Sequence, residues 1–403
     1  MADAEVDVLI VGAGPAGATC AETLRAEGFT GSIVLAGREP DPPYQRPPAS
    51  KSYLQGSSAK ADAFLRPDAF WGDQDIGLRT RTSVMKLDPA ARVATLATKE
   101  ELAFGSALLA TGANVRRLRV DGAGLEGIHY LRTLGNADAI RADAAGAERV
   151  VLIGGSYIAC EVAASLTLLG KRCTLVAIED APLATGFGPS VGAWVGDLLR
   201  EHGVELAMGE TLTAFEGAGE RVERVVCESG LTLDCDLVVM GTGAMPDVML
   251  ARAAGLELGE SGGVRCDAGL RTSADGVWAA GDVCEYDSAV HGRRLRVEHW
   301  EVARAQGAFV ARAILGVGVG GAGGAYSEIP YFWTDLADWA TLEYVGPASS
   351  WAREAVRGTI ADGDFSVFYL DAEDRVLAAV TAGRPADLDE ARELIRSGER
   401  FAR

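Results

Sequence analysis

The 403-residue sequence predicts an α/β fold with several domains, and three observations lead to this prediction. The length corresponds to two or three domains at roughly 150 residues each. A pattern of apolar strand, glycine loop, helix, strand and acidic residue occurs twice, at Gly12 and 142 residues later at Gly154. After a glycine-rich connector at residues 316–325, the last 75 or so residues carry strand-like runs at 359–370 and 376–381 and one helix at 388–396 instead. We therefore predict two Rossmann-like dinucleotide-binding domains plus a small α+β C-terminal domain.

The first glycine loop lies between two apolar strands. The strands are predicted over residues 6–11 and 32–36, and the helix over 18–27. In such a loop the first glycine permits a tight turn, the second lets backbone amides approach a pyrophosphate, and the third lets the helix pack on the strand. Glu39, 22 residues after the last glycine, is expected to bind a ribose. The residues assigned to this dinucleotide site are Gly12, Gly14, Pro15, Ala16, Gly17 and Glu39.

The second copy departs from the pattern at two positions. Its strands are predicted over 149–153 and 173–178, and its helix over 161–169. Ser156 replaces the middle glycine and offers a hydroxyl to a phosphate, while Ala159 is an accepted third residue. A Rossmann-like segment that has lost its ligand is the alternative.

Three more apolar strands end in glycine motifs, at Thr111–Gly112, Gly241–Gly243 and Gly281–Asp282. Doubly wound sheets bind ligands at the carboxyl ends of their strands. Two dinucleotide sites in one chain favour a flavin and a nicotinamide cofactor. The residues assigned to the nicotinamide dinucleotide are Gly154, Ser156, Tyr157, Ile158, Glu161, Glu179, Gly241 and Gly243.

Composition excludes several other classes of function. The net charge of −19 argues against a nucleic-acid binder and against docking on an anionic membrane. No apolar run reaches the ~18 residues of a membrane span, and the acidic start is unlike a signal peptide, so we expect a cytoplasmic protein. The seven cysteines are dispersed and the four histidines lack zinc-ligand spacing, so we expect neither a disulfide framework nor a metal site.

Three motifs carry a resemblance to a known family. They are residues 43–51 (PYQRPPASK), residues 298–300 (EHW) with Ala303 and Gln306, and residues 330–335 (PYFWTD). With both glycine loops, the chain resembles the two-dinucleotide flavoprotein reductases, and more narrowly the ferredoxin and rubredoxin reductases of oxygenase and P450 systems. Apoptosis-inducing factor and monodehydroascorbate reductase are more distant relatives.

The resemblance implies a domain organisation and further site residues. It implies an FAD-binding domain of residues 1–116 and 237–322, an NAD-binding domain of 117–236 and a C-terminal domain of 323–403. Lys51 and Glu161 are expected to form an ion pair at the reaction centre and are the predicted catalytic residues. Tyr157 is expected to cover the flavin until NADH displaces it. The further FAD-binding residues implied are Arg46, Lys51, Val84, Thr111, Gly112, Arg132, Gly281, Asp282, Trp300 and Trp333.

The resemblance also implies a function. We expect non-covalent FAD, NADH as co-substrate, and a ferredoxin or rubredoxin-like iron–sulfur protein as electron acceptor, with a homodimer as an open possibility. No cysteine lies between Cys20 and Cys160, where related disulfide reductases carry their redox cysteines, so electrons should leave the flavin directly. Two alternatives remain: an NADH oxidase or reductase of quinones or small molecules, and a redox-sensing interaction protein like apoptosis-inducing factor.

Overall fold

The computed structural model describes residues 2–317 and 324–402. Contacts divide the chain into two compact units, each made of three segments. The first unit comprises Met1–Gln45, Phe64–Asn114 and Met245–Tyr331, and the second comprises Arg46–Ala63, Val115–Ala244 and Phe332–Arg403. The division into three functional domains stays a prediction.

The described residues contain the following strands and helices. The strands are β1 (Ala4–Val11), β2 (Ile33–Ala36), β3 (Ile76–Arg79), β4 (Val84–Asp88), β5 (Val93–Leu96), β6 (Glu101–Leu109), β7 (Ala113–Val115), β8 (Ile128–Tyr130), β9 (Arg149–Ile153), β10 (Arg172–Ala177), β11 (Glu205–Met208), β12 (Leu212–Glu216), β13 (Arg224–Cys227), β14 (Thr232–Asp234), β15 (Leu237–Met240), β16 (Ala244–Pro246), β17 (Val264–Cys266), β18 (Val277–Ala279), β19 (Cys284–Ser288), β20 (Arg293–Arg296), β21 (Tyr331–Leu336), β22 (Ala340–Val345), β23 (Arg353–Thr359), β24 (Asp364–Leu370) and β25 (Val376–Ala382). The helices are α1 (Pro15–Ala26), α2 (Ser52–Gln55), α3 (Ala69–Asp73), α4 (Leu134–Gly146), α5 (Tyr157–Leu168), α6 (Ala184–Glu201), α7 (Met249–Ala253), α8 (Trp300–Leu315) and α9 (Pro385–Ser397). Across residues 2–317 and 324–402, none of the helices combines the length and apolar character that a bilayer-spanning segment requires.

The first unit is built on a seven-stranded sheet. Its order is β3-β2-β1-β6-β5-β4, and β18 pairs with β6. The strands β3, β2, β1, β6 and β18 run parallel, whereas β4 and β5 form an antiparallel hairpin. Helices α1 and α8 pack so closely that a Cβ on Gly307 would lie only 2.1 Å from the carbonyl oxygen of Ala16. This arrangement confirms the first predicted Rossmann-like sheet.

The second unit contains another parallel sheet and an antiparallel one. The parallel sheet has the order β11-β10-β9-β15-β8. Near the C-terminus, β21-β22-β25-β24-β23 form a five-stranded sheet on which α9 packs through Leu388 and Ala391. The second Rossmann-like sheet and the C-terminal α+β part are therefore as predicted.

Several predicted boundaries are wrong. Helix α1 begins three residues before the predicted start, because Pro15 is favoured in the first turn of a helix and the glycine loop itself enters that turn. Helix α5 likewise begins at Tyr157 rather than at residue 161, because the second glycine loop also enters the first helical turn. The predicted strand 359–370 is two strands, because Gly363 turns the chain at φ +69°. Most of the predicted connector 316–325 lies outside the described residues, which omit 318–323.

Candidate active site

In the first unit, predicted site residues lie at the carboxyl ends of four neighbouring parallel strands. Gly12 directly follows β1, Glu39 comes three residues after β2, Thr111 two after β6 and Gly281 two after β18. The strand order β2-β1-β6-β18 brings these ends side by side. This edge is where a doubly wound sheet binds its ligand.

The three glycines of the first loop meet different surroundings. Gly12 has φ +116°, and a Cβ there would lie 2.0 Å from the carbonyl oxygen of Ala110. A Cβ on Gly17 would lie 2.0 Å from the carbonyl oxygen of Gly12. At Gly14, by contrast, no atom lies within 4 Å of the Cβ position. The space before the N-terminus of α1 is thus open, and the free amides of the first helical turn fit an anionic pyrophosphate there.

Glu39 is held beside this loop by an aromatic neighbour and by the chain before β4. The Tyr44 hydroxyl donates to Glu39 Oε2 at 2.5 Å. The amide of Arg81 donates to the Glu39 carbonyl at 3.0 Å, and the amide of the next residue donates to the Gly37 carbonyl. Val84 therefore begins its strand close to the end of β2, and its contact with the adenosine end of a dinucleotide stays a prediction.

The strand end at Gly281–Asp282 is fixed by two polar side chains. Gln306, which is 1% exposed, accepts a hydrogen bond from the Gly281 amide at 2.8 Å. Arg296 Nη1 donates to the Asp282 carbonyl at 3.1 Å. Trp300 is the first residue of α8, the helix that supplies Gln306.

In the second unit, the predicted nicotinamide residues share the carboxyl edge of the other parallel sheet. Gly154 follows β9 at φ +114°, and a Cβ there would lie 2.4 Å from the Gly241 carbonyl oxygen. The Ser156 hydroxyl donates to the same carbonyl oxygen at 2.8 Å, so it is engaged with the backbone rather than directed to a phosphate as expected. The Gly243 carbonyl accepts the amide of Arg116 at 2.9 Å. Hydrogen bonds therefore join the loop to the end of β15.

Glu179 stands two residues beyond β10 and faces the loop. Its Oε2 lies 3.0 Å from the position of a Cβ on Gly155. This oxygen is buried and has no hydrogen-bond partner within residues 2–317 and 324–402. A buried, unsatisfied carboxylate oxygen at a dinucleotide edge is available to a ligand hydroxyl.

The predicted ion pair between Lys51 and Glu161 is present. Lys51 Nζ lies 2.6 Å from Glu161 Oε1, and the side chains are 16% and 5% exposed. Asp335 Oδ2 is also 3.9 Å from Lys51 Nζ. Thr334 and Ser50 donate to the Glu161 carboxylate at 2.7 and 2.5 Å. The charged pair is thus enclosed by hydroxyl donors.

The remaining predicted flavin residues of this unit form two contacts. Arg46 Nη1 donates to the Arg132 carbonyl at 2.7 Å. The Trp333 indole nitrogen donates to Asp335 Oδ2 at 3.1 Å, next to Lys51. The structure thus brings Arg46 to Arg132, and Trp333 to the ion-pair cluster.

Tyr157 packs in an aromatic cluster of the second unit. Its ring centroid lies 4.9 Å from that of Phe332 and 5.4 Å from that of Phe187. Phe332 is 9% exposed and also packs against Tyr344. Burial raises the pKa of the Tyr157 hydroxyl, which is therefore neutral at physiological pH. Ile158, the next residue of α5, is 38% exposed.

No cysteine offers a redox thiolate. All seven lie in the described part of the chain, and each is buried and free of a disulfide. Burial raises the pKa of Cys173 to about 11 and that of Cys235 to about 12, and also raises the pKa of Cys20 and Cys160. A thiol with a raised pKa is a poor nucleophile. Over residues 2–317 and 324–402, no cluster of three or more His, Cys, Asp or Glu side chains is arranged to hold a metal ion.

The sequence matches two protein families. Residues 6–307 match pyridine nucleotide-disulphide oxidoreductase, and residues 331–403 match the family described as reductase C-terminal. The chain therefore belongs to the pyridine nucleotide-disulphide oxidoreductase family. Members of this family and the ferredoxin reductases use FAD and a nicotinamide dinucleotide, so this chain is an FAD-dependent NAD(P)H oxidoreductase of the ferredoxin-reductase type.

Individual relatives narrow the comparison. A ferredoxin–NAD(P)⁺ reductase of a Sphingomonas species is 34% identical over 98% of this chain and 94% of its own. The ferredoxin reductase for the CYP199A2 system from Rhodopseudomonas palustris has a TM-score of 0.93 at 32% identity, over 98% of this chain and 96% of its own. The reductase of a covalent putidaredoxin reductase–putidaredoxin complex has a TM-score of 0.91 at 34% identity, over 98% and 94%. The resemblance inferred from the three motifs is confirmed.

Sequence reasoning assigned no role to Ser50, Thr334 and Gln306, although all three belong to the motifs that carry the resemblance. Each is at most 2% exposed. Membership of these motifs was the signal available in the sequence, because a buried polar group needs a partner but the burial of one side chain is not encoded locally.

Proposed function

We propose that this chain is the reductase component of an electron-transfer system, which takes electrons from NADH and passes them to a small iron–sulfur protein. The observation that carries the proposal is the presence of two dinucleotide-binding edges in a chain whose cysteines are all buried thiols. Such a chain has two cofactor sites but no internal thiol relay. Bound FAD would supply the change from hydride acceptance to one-electron donation.

In this proposal, side chains of the first unit hold much of the FAD. The N-terminus of α1 binds the pyrophosphate in the open space at Gly14, and Glu39 accepts hydrogen bonds from a ribose. Asp282 accepts hydrogen bonds from the ribitol hydroxyls. The further FAD-binding residues proposed are Gly12, Pro15, Ala16, Gly17, Arg46, Lys51, Val84, Thr111, Gly112, Arg132, Gly281, Trp300 and Trp333.

The carboxyl edge of the second parallel sheet binds NADH. Glu179, with its unsatisfied buried oxygen, accepts hydrogen bonds from the adenosine ribose and repels a 2′-phosphate. Gly154 and Ser156 form the loop before α5, and Tyr157 begins this helix, whose positive end faces the pyrophosphate. Ile158, Gly241 and Gly243 complete this proposed site.

Lys51 and Glu161 orient the nicotinamide. A buried ion pair contributes little net stability, since desolvation offsets much of its Coulomb attraction. Its value here is positional: a rigid pair fixes the amide and ring of the nicotinamide within reacting distance, and positioning supplies much of the rate of such reactions.

The class of electron acceptor is inferred from the names of the relatives. They are named for ferredoxin, rubredoxin and putidaredoxin, and we extend that partner class to this chain. In the sequence, Arg293, Arg294 and Arg296 form a local basic run that could bind an acidic partner, but Arg294 pairs with Asp287 and Arg296 with Glu298. The docking surface is therefore not assigned to them. A cytoplasmic location without membrane attachment, and a homodimer, stay predictions that cell fractionation and light scattering would test.

Cofactor analysis and anaerobic reduction test the proposed cofactor roles together. The purified protein should be yellow, and heat or acid should release FAD. NADH added without oxygen should bleach the flavin absorbance at one equivalent. Release of FMN, covalently retained flavin, or an absorbance that NADH leaves unchanged would contradict the proposal. Glu179→Gln serves as a matched control, since it should bind FAD normally.

A further inference from the structure

We infer that Thr334 and Ser50 are positioning residues for Glu161, because their hydroxyls hold its carboxylate in the orientation that meets Lys51. The inference rests on the proposed role of Glu161 and deepens it. It also gives the C-terminal part of the chain, which supplies Thr334, a part in the reaction.

The geometry satisfies both oxygens of the Glu161 carboxylate. Oε1 accepts from Lys51 Nζ at 2.6 Å and from Thr334 Oγ1 at 2.7 Å. Oε2 accepts from Ser50 Oγ at 2.5 Å, which is nearer than the other acceptor of that hydroxyl, the Pro47 carbonyl at 3.2 Å. Glu161 is 4% exposed, Ser50 2% and Thr334 0%. Water is therefore not available to replace either hydroxyl.

Each hydroxyl is itself held in place. In β21 the alternate residues Phe332, Thr334 and Leu336 are buried, so the register of the strand turns Thr334 inward. The Ser50 carbonyl accepts from Ser165 Oγ at 2.7 Å, one helical turn beyond Glu161 in α5. The donors thus belong to the rigid frame of the site rather than to mobile loops.

The charged groups around Glu161 show what the two hydroxyls contribute to the carboxylate. Lys51 lies within 2.6 Å, while Asp335 lies 3.9 Å from the same ammonium and competes for it. The thiol of Cys160, the preceding residue, is neutral because burial raises its pKa. Hydrogen bonds to the charged form of a carboxyl favour that form. Removing one hydroxyl should therefore weaken the hold on the charged carboxylate and loosen its alignment with Lys51.

Two measurements on the FAD-bound protein test this role. The first is infrared spectroscopy of the carboxylate stretching band that disappears in Glu161→Gln. In Thr334→Val this band should change frequency relative to the wild type, because one hydrogen bond to the carboxylate is lost, and Thr334→Ser should restore the wild-type frequency. The second is stopped-flow reduction by NADH, where Thr334→Val should lower the limiting rate by roughly tenfold, with little change in the dissociation constant of NADH. Ser50→Ala is an independent second variant with the same expectations.

Thr381→Val is the matched control. Thr381 is 0% exposed and its hydroxyl donates to the Phe365 carbonyl at 2.9 Å in the C-terminal sheet, so its loss should leave both readouts unchanged. The inference is overturned if Thr334→Val and Ser50→Ala keep the wild-type frequency of the Glu161 carboxylate band, or if Thr381→Val gives the same shift of that band. If the band shifts as expected but Glu161→Gln reduces flavin at the wild-type rate, the positioning holds and the proposed catalytic role of Glu161 fails.

Discussion

At the scale of single residues, we propose that Glu179 decides the choice of coenzyme. Among the described residues its buried Oε2 has no hydrogen-bond partner, and it faces the second glycine loop. A carboxylate there accepts hydrogen bonds from ribose hydroxyls and repels a 2′-phosphate. This repulsion disfavours NADPH by several kcal/mol as an order of magnitude. We expect a higher kcat/KM for NADH than for NADPH, and Glu179→Gln should narrow that ratio by at least about tenfold. An equal or higher kcat/KM with NADPH in the wild type would contradict this assignment.

Glu161 is expected to act on hydride transfer rather than on flavin binding. Glu161→Ala leaves the buried Lys51 ammonium without its nearest partner, whereas the glycine loop proposed to bind the FAD pyrophosphate keeps all of its residues. Stopped-flow reduction by NADH should be slower by at least about tenfold, while the FAD dissociation constant changes by less than about threefold. Fluorescence titration of FAD supplies the second number. A reductive half-reaction at the wild-type rate would refute the assignment.

His291 makes the first unit sensitive to acid. Burial and the nearby Arg293 charge lower its pKa from 6.5 to about 4. Between these two values the unfolded chain binds a proton that the folded chain does not, so stability falls as the pH drops from 6.5 towards 4. The resulting loss in the free energy of unfolding approaches roughly 3 kcal/mol.

Chemical unfolding at pH 7.5 and pH 5 checks this dependence. His291→Asn should reduce the difference between the two pH values, although His299, whose pKa is also lowered to about 4, keeps part of it. Ser288→Ala removes the hydroxyl partner of His291 but no titratable group, so it should keep the full difference. An unchanged pH dependence in His291→Asn would show that this imidazole is not involved.

At the scale of elements, the first glycine loop separates ligand binding from folding. Gly14 has φ −78° and open space at its Cβ position, so Gly14→Ala should leave the stability of the FAD-free protein unchanged while weakening FAD binding at least about tenfold. Gly17→Ala would force a Cβ against the Gly12 carbonyl and should cost about 1–3 kcal/mol of folding stability. Thermal unfolding and FAD titration of both variants test the distinction. Equal destabilisation by the two substitutions would contradict it.

Elements were predictable where local sequence dominates. The apolar runs of β1, β9 and β15 and the glycines that follow them depend only on burial and on the absence of a Cβ, so pattern alone located them. Helix starts were less predictable, because Pro15 and Tyr157 begin helices inside what reads as a glycine loop. A single turn at Gly363 was enough to divide a predicted strand.

The contacts of the site depend on tertiary structure and were only partly predictable. The Lys51–Glu161 pair followed from family resemblance. The bonds of Ser50 and Thr334 to Glu161 join residues 111 and 173 positions apart, and no local pattern encodes them. Likewise, the Glu179 oxygen that has no partner among the described residues could be recognised only once the ends of β9 and β10 were brought together, and the engaged hydroxyl of Ser156 only once the ends of β9 and β15 were.

At the scale of the whole molecule, charge opposes the proposed partner. The chain carries a net charge of −19, and an acidic iron–sulfur protein would meet long-range repulsion. Repulsion between exposed charges is screened over about 10 Å at 0.1 M salt, so close-range complementarity can still direct docking. The central claim is therefore best tested by the acceptor itself.

The most direct test mixes NADH-reduced enzyme with acceptors in a stopped-flow instrument. The panel comprises [2Fe–2S] and [4Fe–4S] ferredoxins, a rubredoxin, a quinone and dioxygen, each at the same concentration. We predict that at least one iron–sulfur protein is reduced faster than dioxygen and the quinone, because the relatives are named for ferredoxin, rubredoxin and putidaredoxin. If dioxygen or the quinone is reduced fastest, the chain is an oxidase or quinone reductase and the electron-transfer account is wrong.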